Sequence, residues 1–420
     1  MDSRKENFHV FKSLITYNDA VEEILEKVDI LGVEEIFLEK CFARIAGRDL
    51  EAKMDVPTFD RAAMDGFAVV GEETFGTSTQ APITFRLTKK GGKKIFKMGE
   101  KLAVEVMTGA PIPRETNAVV RVENAKRIGE TIEIYRQVIP GENVSTRGED
   151  VKKGELVVLK GKRIKATDIA ILAACGYYKV PVMTLPKVAI LSTGNEIVPP
   201  YMILEFGKVY DSNSYAIAFL VEECGGIPVI FGVVSEEKDD IMSAIIKAIK
   251  TSDVIITSGG TSVGKKDTVP EVINEMGELL FRGVNIKPGK PTCFGLINNK
   301  PVFGLPGFPV SAMISFEAFV IPALLKILGV KERRLWPKIY AKISRNIPSV
   351  LGRRDFVRVK LEYEENRSNL PYAIPVRTGG AGIISSMRTA NGYVIIPENL
   401  EGITEGNVVE VYTFNPITIC

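Results

Sequence analysis

The sequence holds a single histidine, His9. That scarcity argues against chemistry built on imidazole, either as a general base or as the ligand set of a metal centre. His9 itself reads as a surface residue. The five cysteines (Cys41, Cys175, Cys224, Cys293, Cys420) are scattered, odd in number and form no C-x-x-C, so they read as reduced core residues and not as a disulfide frame or zinc site. Neither charge sign dominates: 54 basic and 52 acidic residues leave a net charge of +2. A dedicated nucleic-acid binder would carry a basic excess or stripe, so no nucleic-acid partner is expected. No apolar run reaches the length that spans a bilayer, and the best, near Phe319 to Val330, is cut by Pro322 and Lys326. The opening segment MDSRKENFHVFK lacks the apolar core of a signal peptide. The expectation is a cytoplasmic protein with no membrane partner. Glutamine occurs only at Gln80 and Gln137 among abundant charges, a bias seen in thermophile proteins.

With histidine scarce, acid, base and metal-binding roles fall to carboxylates. Anion binding falls to lysine, arginine, hydroxyls and backbone N–H groups. The chain has 420 residues, too many for one ordinary core, so several domains are expected. Residues 1–52 and 141–185 read as one mixed α/β elongated domain. Within it Val21, Ile24, Leu25 and Val28 share a helical face, a second helical pattern runs from Val33 to Leu50, and a short helix is bounded by Thr167 as N-cap and Gly176 as stop. Residues 53–140 change texture, with short runs such as Ile83–Leu87, Ala118–Val122 and Thr131–Tyr135 between Gly-rich turns, and read as an inserted small β domain. Residues 186–333 alternate strands and helices, which predicts a doubly wound, mostly parallel α/β domain with ligands at the carboxyl ends of its strands. Residues 334–420 return to short β runs and read as a C-terminal β-barrel domain.

The most informative string is D-V-I-I-T-S-G-G-T-S-V-G-K-K-D, residues 253–267. A buried strand runs into Gly259, Gly260 and Gly264, and Asp267 precedes a helix. Such glycines let backbone N–H groups approach an anion, and Ser258, Thr261 and Ser262 add hydroxyl donors. The G-K-[ST] ending of a Walker A loop is missing, and a purely structural turn remains an equal alternative. A second strand-end loop is S-T-G-N-E-I, with Ser192, Thr193, Gly194 and Glu196, and a third is Y-D-S-N-S, with Asp211 entering a helix. Alone, Asp211 reads as a helix cap and Glu196 as a solvated loop carboxylate. Three carboxylates at neighbouring strand ends (Glu196, Asp211, Asp267) would together suit a hydrated Mg²⁺, which takes a few carboxylates plus phosphate oxygens.

The string I-K-P-G-K-P sets Lys287 and Lys290 in a loop stiffened by prolines, a use of two cations that suits a multiply charged oxyanion. Pro306, Gly307 and Pro309 shape a further strand-to-helix turn, equally readable as a plain helix start. The turns M-D-G, with Asp65, and M-T-G-A-P, with Thr108, read as β-turns by pattern alone. Arg353, Arg354 and Arg358 surround Asp355, a grouping more often a surface face, and glycines precede Ser385 and Ser386.

In number, order and spacing these strings resemble the MoeA-type molybdopterin molybdenumtransferases, which include the E domain of gephyrin. The resemblance spans nearly the whole chain. It implies four domains in the order above and a homodimer with an active cleft shared between subunits. It implies a transferase of molybdenum cofactor biosynthesis, which inserts molybdate into adenylylated molybdopterin with release of AMP, dependent on Mg²⁺; the thermophile bias admits tungstate as well. By resemblance, the M-D-G acid is Asp65 and the M-T-G threonine Thr108. The T-G-x-E acid is Glu196, the D-[ST]-N acid Asp211 and the G-K-K-D acid Asp267. The paired lysines are Lys287 and Lys290, the proline turns Pro306 and Pro309, the basic residue of the last domain Arg353 (with Arg354 adjacent), and the late serine Ser385 or Ser386. The second acid sits in D-S-N where other members have D-T-N. The alternatives are a molybdopterin adenylyltransferase, a non-catalytic dimeric scaffold, and a nucleotide hydrolase acting on another pyrophosphate.

Overall fold

The structure, a computed structural model, describes residues 14–88, 99–261, 267–363, 370–376 and 380–414. Its contacts divide into two compact units, Glu35–Val182 and Met1–Glu34 with Met183–Cys420.

In the smaller unit a six-stranded sheet runs in the order Ala118–Arg121, Gly66–Val69, Leu102–Val106, Ile83–Leu87, Thr131–Ile134, Ala125–Ile128. Phe67, Val69, Phe85, Val120, Ile132 and Ile134 form its core. Gly66 is dictated by packing, because a Cβ there would stand 2.0 Å from the Val120 carbonyl oxygen. The helix expected between Val33 and Leu50 is not formed. Strand Val33–Phe37 and a single turn Leu38–Lys40 take its place. Beyond that turn, Ala43 is left-handed (φ 62°) and Ile45 and Ala46 bridge to Arg163 and Val182. Long-range backbone pairing thus overrides the local helical pattern. The helix Ala166–Ala174 forms, but Thr167 is not its cap: Asp168 Oδ2 accepts the Lys165 N–H at 2.9 Å. Gly176, at φ +79°, ends it.

The larger unit opens with helix Tyr17–Lys27, capped by Thr16, whose hydroxyl accepts the Asp19 N–H. Its α/β sheet uses β1 (Lys187–Thr193), α1 (Asn213–Cys224), β2 (Ile227–Val234), α2 (Lys238–Thr251), β3 (Val254–Ser258), α3 (Thr268–Met276), β4 (Glu278–Arg282), β5 (Cys293–Ile297), β6 (Lys300–Leu305) and the helix α4 (Pro309–Ile327). The strand order is β2-β1-β3-β6-β5-β4, with β2, β1, β3 and β6 parallel, β5 antiparallel to β6, and β4 antiparallel to β5. Strand alternation sends Val188, Ile190, Val254 and Ile256 into one core with Ile217, Val221 and α4. Ala189, Leu191 and Ile255 go to the other face, against Ile241, Ile245, Val269 and Val272 of α2 and α3. Each such fully buried aliphatic side chain contributes about 1.5–3 kcal/mol. The order turns back between β1 and β3, so their carboxyl ends form the crevice where ligands bind in this class of sheet.

α4 departs from the reading of the sequence. It runs unbroken through Pro322, which sits at the first turn of the segment Ile321–Ile327, and it is long and apolar enough to cross a membrane. Within the protein 83% of that stretch is buried, as befits a core helix.

The last domain contains β7 (Lys338–Ile343), β8 (Arg354–Glu362), β9 (Tyr372–Pro375), β10 (Gly392–Ile396) and β11 (Val408–Thr413). Pairing in the order β8-β9-β7-β11-β10 and back to β8 closes a five-stranded barrel around Ile343, Val357, Val359, Val394 and Val411. The two-residue strand Ile286–Lys287 adds to β8 in parallel at Arg354–Asp355, seating the lysine loop on the barrel edge.

Candidate functional site

The carboxyl ends of β1, β3 and β6 are tied together by polar side chains. Ser192, the penultimate residue of β1, donates its hydroxyl to Asp211 Oδ1 at 2.8 Å and lies 3.1 Å from the Ser214 hydroxyl. Asp211 Oδ1 also accepts the Ser214 N–H at 3.0 Å, so the capping alternative is realised at the start of α1. Asn213 Nδ2 donates to Ser258 Oγ and to the Gly307 carbonyl, each at 2.8 Å, joining α1 to β3 and to the turn between Pro306 and Pro309. Pro309 begins α4, which is its helix-start reading. A helix N-terminus facing a switch point of the sheet presents unpaired N–H groups suited to an anion.

Gly259 and Gly260 cross directly over Thr193. A Cβ on Gly259 (φ +99°) would stand 2.2 Å from the Thr193 carbonyl, and one on Gly260 (φ +66°) 2.9 Å from its Oγ1. Thr193 Oγ1 is buried and has no hydrogen-bond partner among the described residues. The buried Thr261 follows; Ser262 and Gly264 lie outside the described residues. Asp267 stands at the start of α3, buried, with Oδ2 paired to Arg282 Nη2 from the end of β4. Its Oδ1 is buried without a hydrogen-bond partner among the described residues. Burial raises the Asp267 pKa, and Arg282 opposes the shift.

The three strand-end carboxylates do not converge as expected. Among the described residues no group of three His, Cys, Asp or Glu side chains is placed to hold a metal ion. Asp211 is engaged by Ser192 and Ser214, and Asp267 by Arg282. Glu196 is exposed and folds back on its own loop, 2.9 Å from the Cβ position of Gly194. The orphaned oxygen of Asp267 is the feature that fits a cation.

The lysine loop does assemble a site. Lys287, Lys290, Arg353 and Arg358 line one cleft of about 330 Å³ with Asp355, Ser311, Gly380 and Ala381. Four cations thus face one carboxylate. Arg353 grips Asp355 bidentately, Nε to Oδ1 at 2.7 Å and Nη2 to Oδ2 at 3.0 Å. Arg354 points elsewhere, to Glu398 and Asn18. Arg358 is buried, which lowers its pKa. The loop is held by Gly289, at φ +113°, where a Cβ would meet Ser315 Oγ at 2.5 Å, and by Thr292, which donates to the Gly289 carbonyl at 2.7 Å. Cations gathered around a small cleft suit a tetrahedral oxyanion. Ser385 and Ser386 do not line this cleft: Ser385 is exposed, and Ser386 Oγ donates to the Ile383 carbonyl within its own turn. Gly380 and Ala381, just upstream, take the place expected of them.

In the smaller unit Asp65 and Thr108 meet. Thr108 donates its backbone N–H at 2.7 Å and its hydroxyl at 2.8 Å to Asp65 Oδ1. These bonds, the backbone one first, hold the carboxyl below the usual carboxylate range. The exposed Asp65 is therefore an anionic acceptor at neutral pH.

Sequence reasoning missed Asn213, Ser214, Arg282 and Arg358 as site residues. The first two stood inside the Y-D-S-N-S string, and Arg358 inside the arginine group. Arg282 carried no signal.

Comparison with known proteins agrees across the chain. A family profile described as MoeA N-terminal region (domain I and II) matches residues 15–176. One described as a probable molybdopterin binding domain matches 189–326, and one described as MoeA C-terminal region (domain IV) matches 340–414. A molybdopterin molybdenumtransferase of Haemophilus influenzae is 31% identical over 96% of this chain and 99% of its own. That of Bacillus subtilis is 32% identical over 94% and 93%. A crystal structure of a molybdopterin biosynthesis MoeA protein from Pyrococcus horikoshii superposes with a TM-score of 0.84 at 38% identity, covering 96% of this chain and all of that one.

Proposed function

We propose, from the premise that this chain belongs to the MoeA family of molybdopterin molybdenumtransferases, that it is a transferase of molybdenum cofactor biosynthesis, inserting molybdate or tungstate into adenylylated molybdopterin with release of AMP. The observation that carries this reading is the cleft of Lys287, Lys290, Arg353 and Arg358, whose charge excess suits a metal-oxide dianion. Its supports are the strand-end crevice with Gly259, Gly260 and the α1 N-terminus for phosphate groups, and the orphaned Asp267 oxygen.

In this reading Lys287 and Lys290 hold the oxyanion beside the dithiolene, and Arg353, set by Asp355, adds a fixed donor. The Gly259–Gly260 backbone, Ser192 and Ser258 orient the pterin phosphate. Asp267, through its orphaned Oδ1, would hold Mg²⁺ together with phosphate oxygens, while Asp211 and Glu196 are turned to other partners. When bound, that ion supplies Lewis-acid polarisation of the phosphoryl group and offsets charge on the departing AMP. Asp65, fixed as an anion by Thr108, completes the site from the partner in a cytoplasmic homodimer.

The test is AMP release from adenylylated molybdopterin by the purified protein with Mg²⁺, with and without molybdate. Molybdate-dependent release with a metal-loaded pterin is expected. ATP consumption on free molybdopterin would make it an adenylyltransferase. AMP cleavage from a pyrophosphate lacking pterin would make it a hydrolase. Silence in every assay would leave a scaffold.

A further inference from the structure

Two charged side chains interrupt the otherwise apolar α4: Glu317 and Lys326. Lys326 Nζ is satisfied by the Leu25 carbonyl. The Glu317 carboxyl has no such partner; it makes no hydrogen bond among the described residues. It sits in a π-helical segment, Phe316–Val320, where an inserted residue widens the turn, a deviation frequent at functional sites. Glu317 lines a cavity of about 210 Å³ with Tyr17, Asn18, Glu22, Arg333 and Arg334. This cavity shares no lining residue with the lysine cleft.

The polar groups here are nearly all donors. Arg334 is fixed: Nη1 donates to the Tyr393 hydroxyl at 3.1 Å, and its guanidinium lies 3.5 Å over the Tyr412 ring. Arg354 donates to Asn18 Oδ1 at 3.0 Å, which leaves the Asn18 NH₂ as a donor toward the cavity. Arg354 also lies 4.4 Å over the Tyr17 ring and is neutralised by Glu398. Burial pushes the Glu317 carboxyl up to about 8, with Arg334 opposing and Glu223 adding, so at neutral pH it is a donor as well. Glu22 is the remaining acceptor, and it is exposed. A cavity with two guanidiniums and so few acceptors suits a ligand that only accepts.

We propose that this cavity is a second anion site, which binds a small oxyanion between Arg333 and Arg334 with the Glu317 carboxyl and the Tyr17 hydroxyl as further donors. The site stands independently of the transferase reading. The charged and titratable groups around Glu317 are Arg333 and Arg334 after α4, Tyr17 and Glu22 of the first helix, Glu223 of α1, and Tyr393 and Tyr412 of the barrel. A bound anion repels an ionised Glu317, so binding tightens as that carboxyl takes up its proton.

Sulfate is the probe, because it does not titrate in the relevant range. Calorimetric titration at constant ionic strength would use the full chain carrying Lys287→Ala and Lys290→Ala, which removes two of the four cations of the other cleft. A sulfate site that depends on Arg333 is expected, tighter at about pH 7 than at about pH 9. Arg333→Gln, at an exposed position, should weaken it about tenfold or more. Glu317→Gln keeps a donor but cannot ionise, so it should abolish the pH dependence while retaining binding. Absence of sulfate binding, or binding indifferent to Arg333→Gln, overturns the proposal. A pH dependence that survives Glu317→Gln overturns the role of that carboxyl.

Discussion

Thr108 closes on Asp65 with both of its donors, although 43 residues separate them in sequence. The antiparallel register explains the meeting: Gly66 pairs with Val106, so the residue before one strand faces the residues after the other. The M-D-G and M-T-G turns are thus two halves of one feature.

Thr108→Ala removes the hydroxyl donor and keeps the backbone one, which is the larger cause of the Asp65 shift. The Asp65 pKa should rise partway toward the ordinary carboxylate value, as followed by carboxyl-carbon NMR. The sign for stability follows. A folded-state pKa below the unfolded one adds stability above the unfolded value, and this is lost as pH falls through the folded value. The variant should therefore be less stable than the wild type at neutral and alkaline pH, with the difference vanishing as pH falls below the folded value. Asp65→Asn should depress AMP release with an unchanged circular dichroism spectrum.

Lys290→Ala and Lys287→Ala should each weaken molybdate binding about tenfold or more, read from the molybdate dependence of AMP release and from direct titration. Arg353→Lys should not restore the Arg353→Ala loss, because the bidentate grip on Asp355 needs a planar fork. Full activity in Arg353→Lys would refute that role.

Arg282→Ala leaves a buried carboxylate without its cation and should cost about 2–3 kcal/mol at neutral pH, discounted because Arg282 itself is partly solvated. Burial already holds the Asp267 pKa above its unfolded value. Stability tied to this group is therefore present at low pH and declines as pH rises through the folded pKa. The loss on removing Arg282 should shrink at lower pH; thermal unfolding at two pH values checks this. A loss equal at both would show that the ion pair is not its origin.

Gly289→Ala forces a Cβ to 2.5 Å from Ser315 Oγ at a positive φ, so it should destabilise by about 1–3 kcal/mol and displace the lysine loop. Denaturant unfolding and molybdate titration should both register the change. Wild-type molybdate affinity in this variant would show that the loop conformation is not what sets the site.

Much of this protein was legible before any coordinates. Strand-helix alternation from Lys187 to Ile327 follows from local periodicity, and the glycines beside Ser258 mark a backbone that must pass close to another. The I-K-P-G-K-P string marks a constrained pair of cations. These are properties of neighbours along the chain, and short-range sterics and burial determine them. Where non-local contacts compete, local pattern fails. The residues after Val33 carry helical spacing yet form a strand and bridges, because distant backbone partners outbid the helix. Likewise, three acids at three strand ends are visible in sequence, but whether they converge depends on side-chain direction. Asp211 turns to Ser192, Asp267 to Arg282 and Glu196 to solvent. The choice of Arg353 over Arg354 for the cleft rests on partners distant in sequence: Arg354 is drawn to Asn18 and Glu398, while Arg353 is held by Asp355. The sequence by itself determined most of the elements, the family and the chemistry that histidine scarcity leaves open. The tertiary structure alone decided which charges meet, because that is set by contacts between residues tens to hundreds of positions apart.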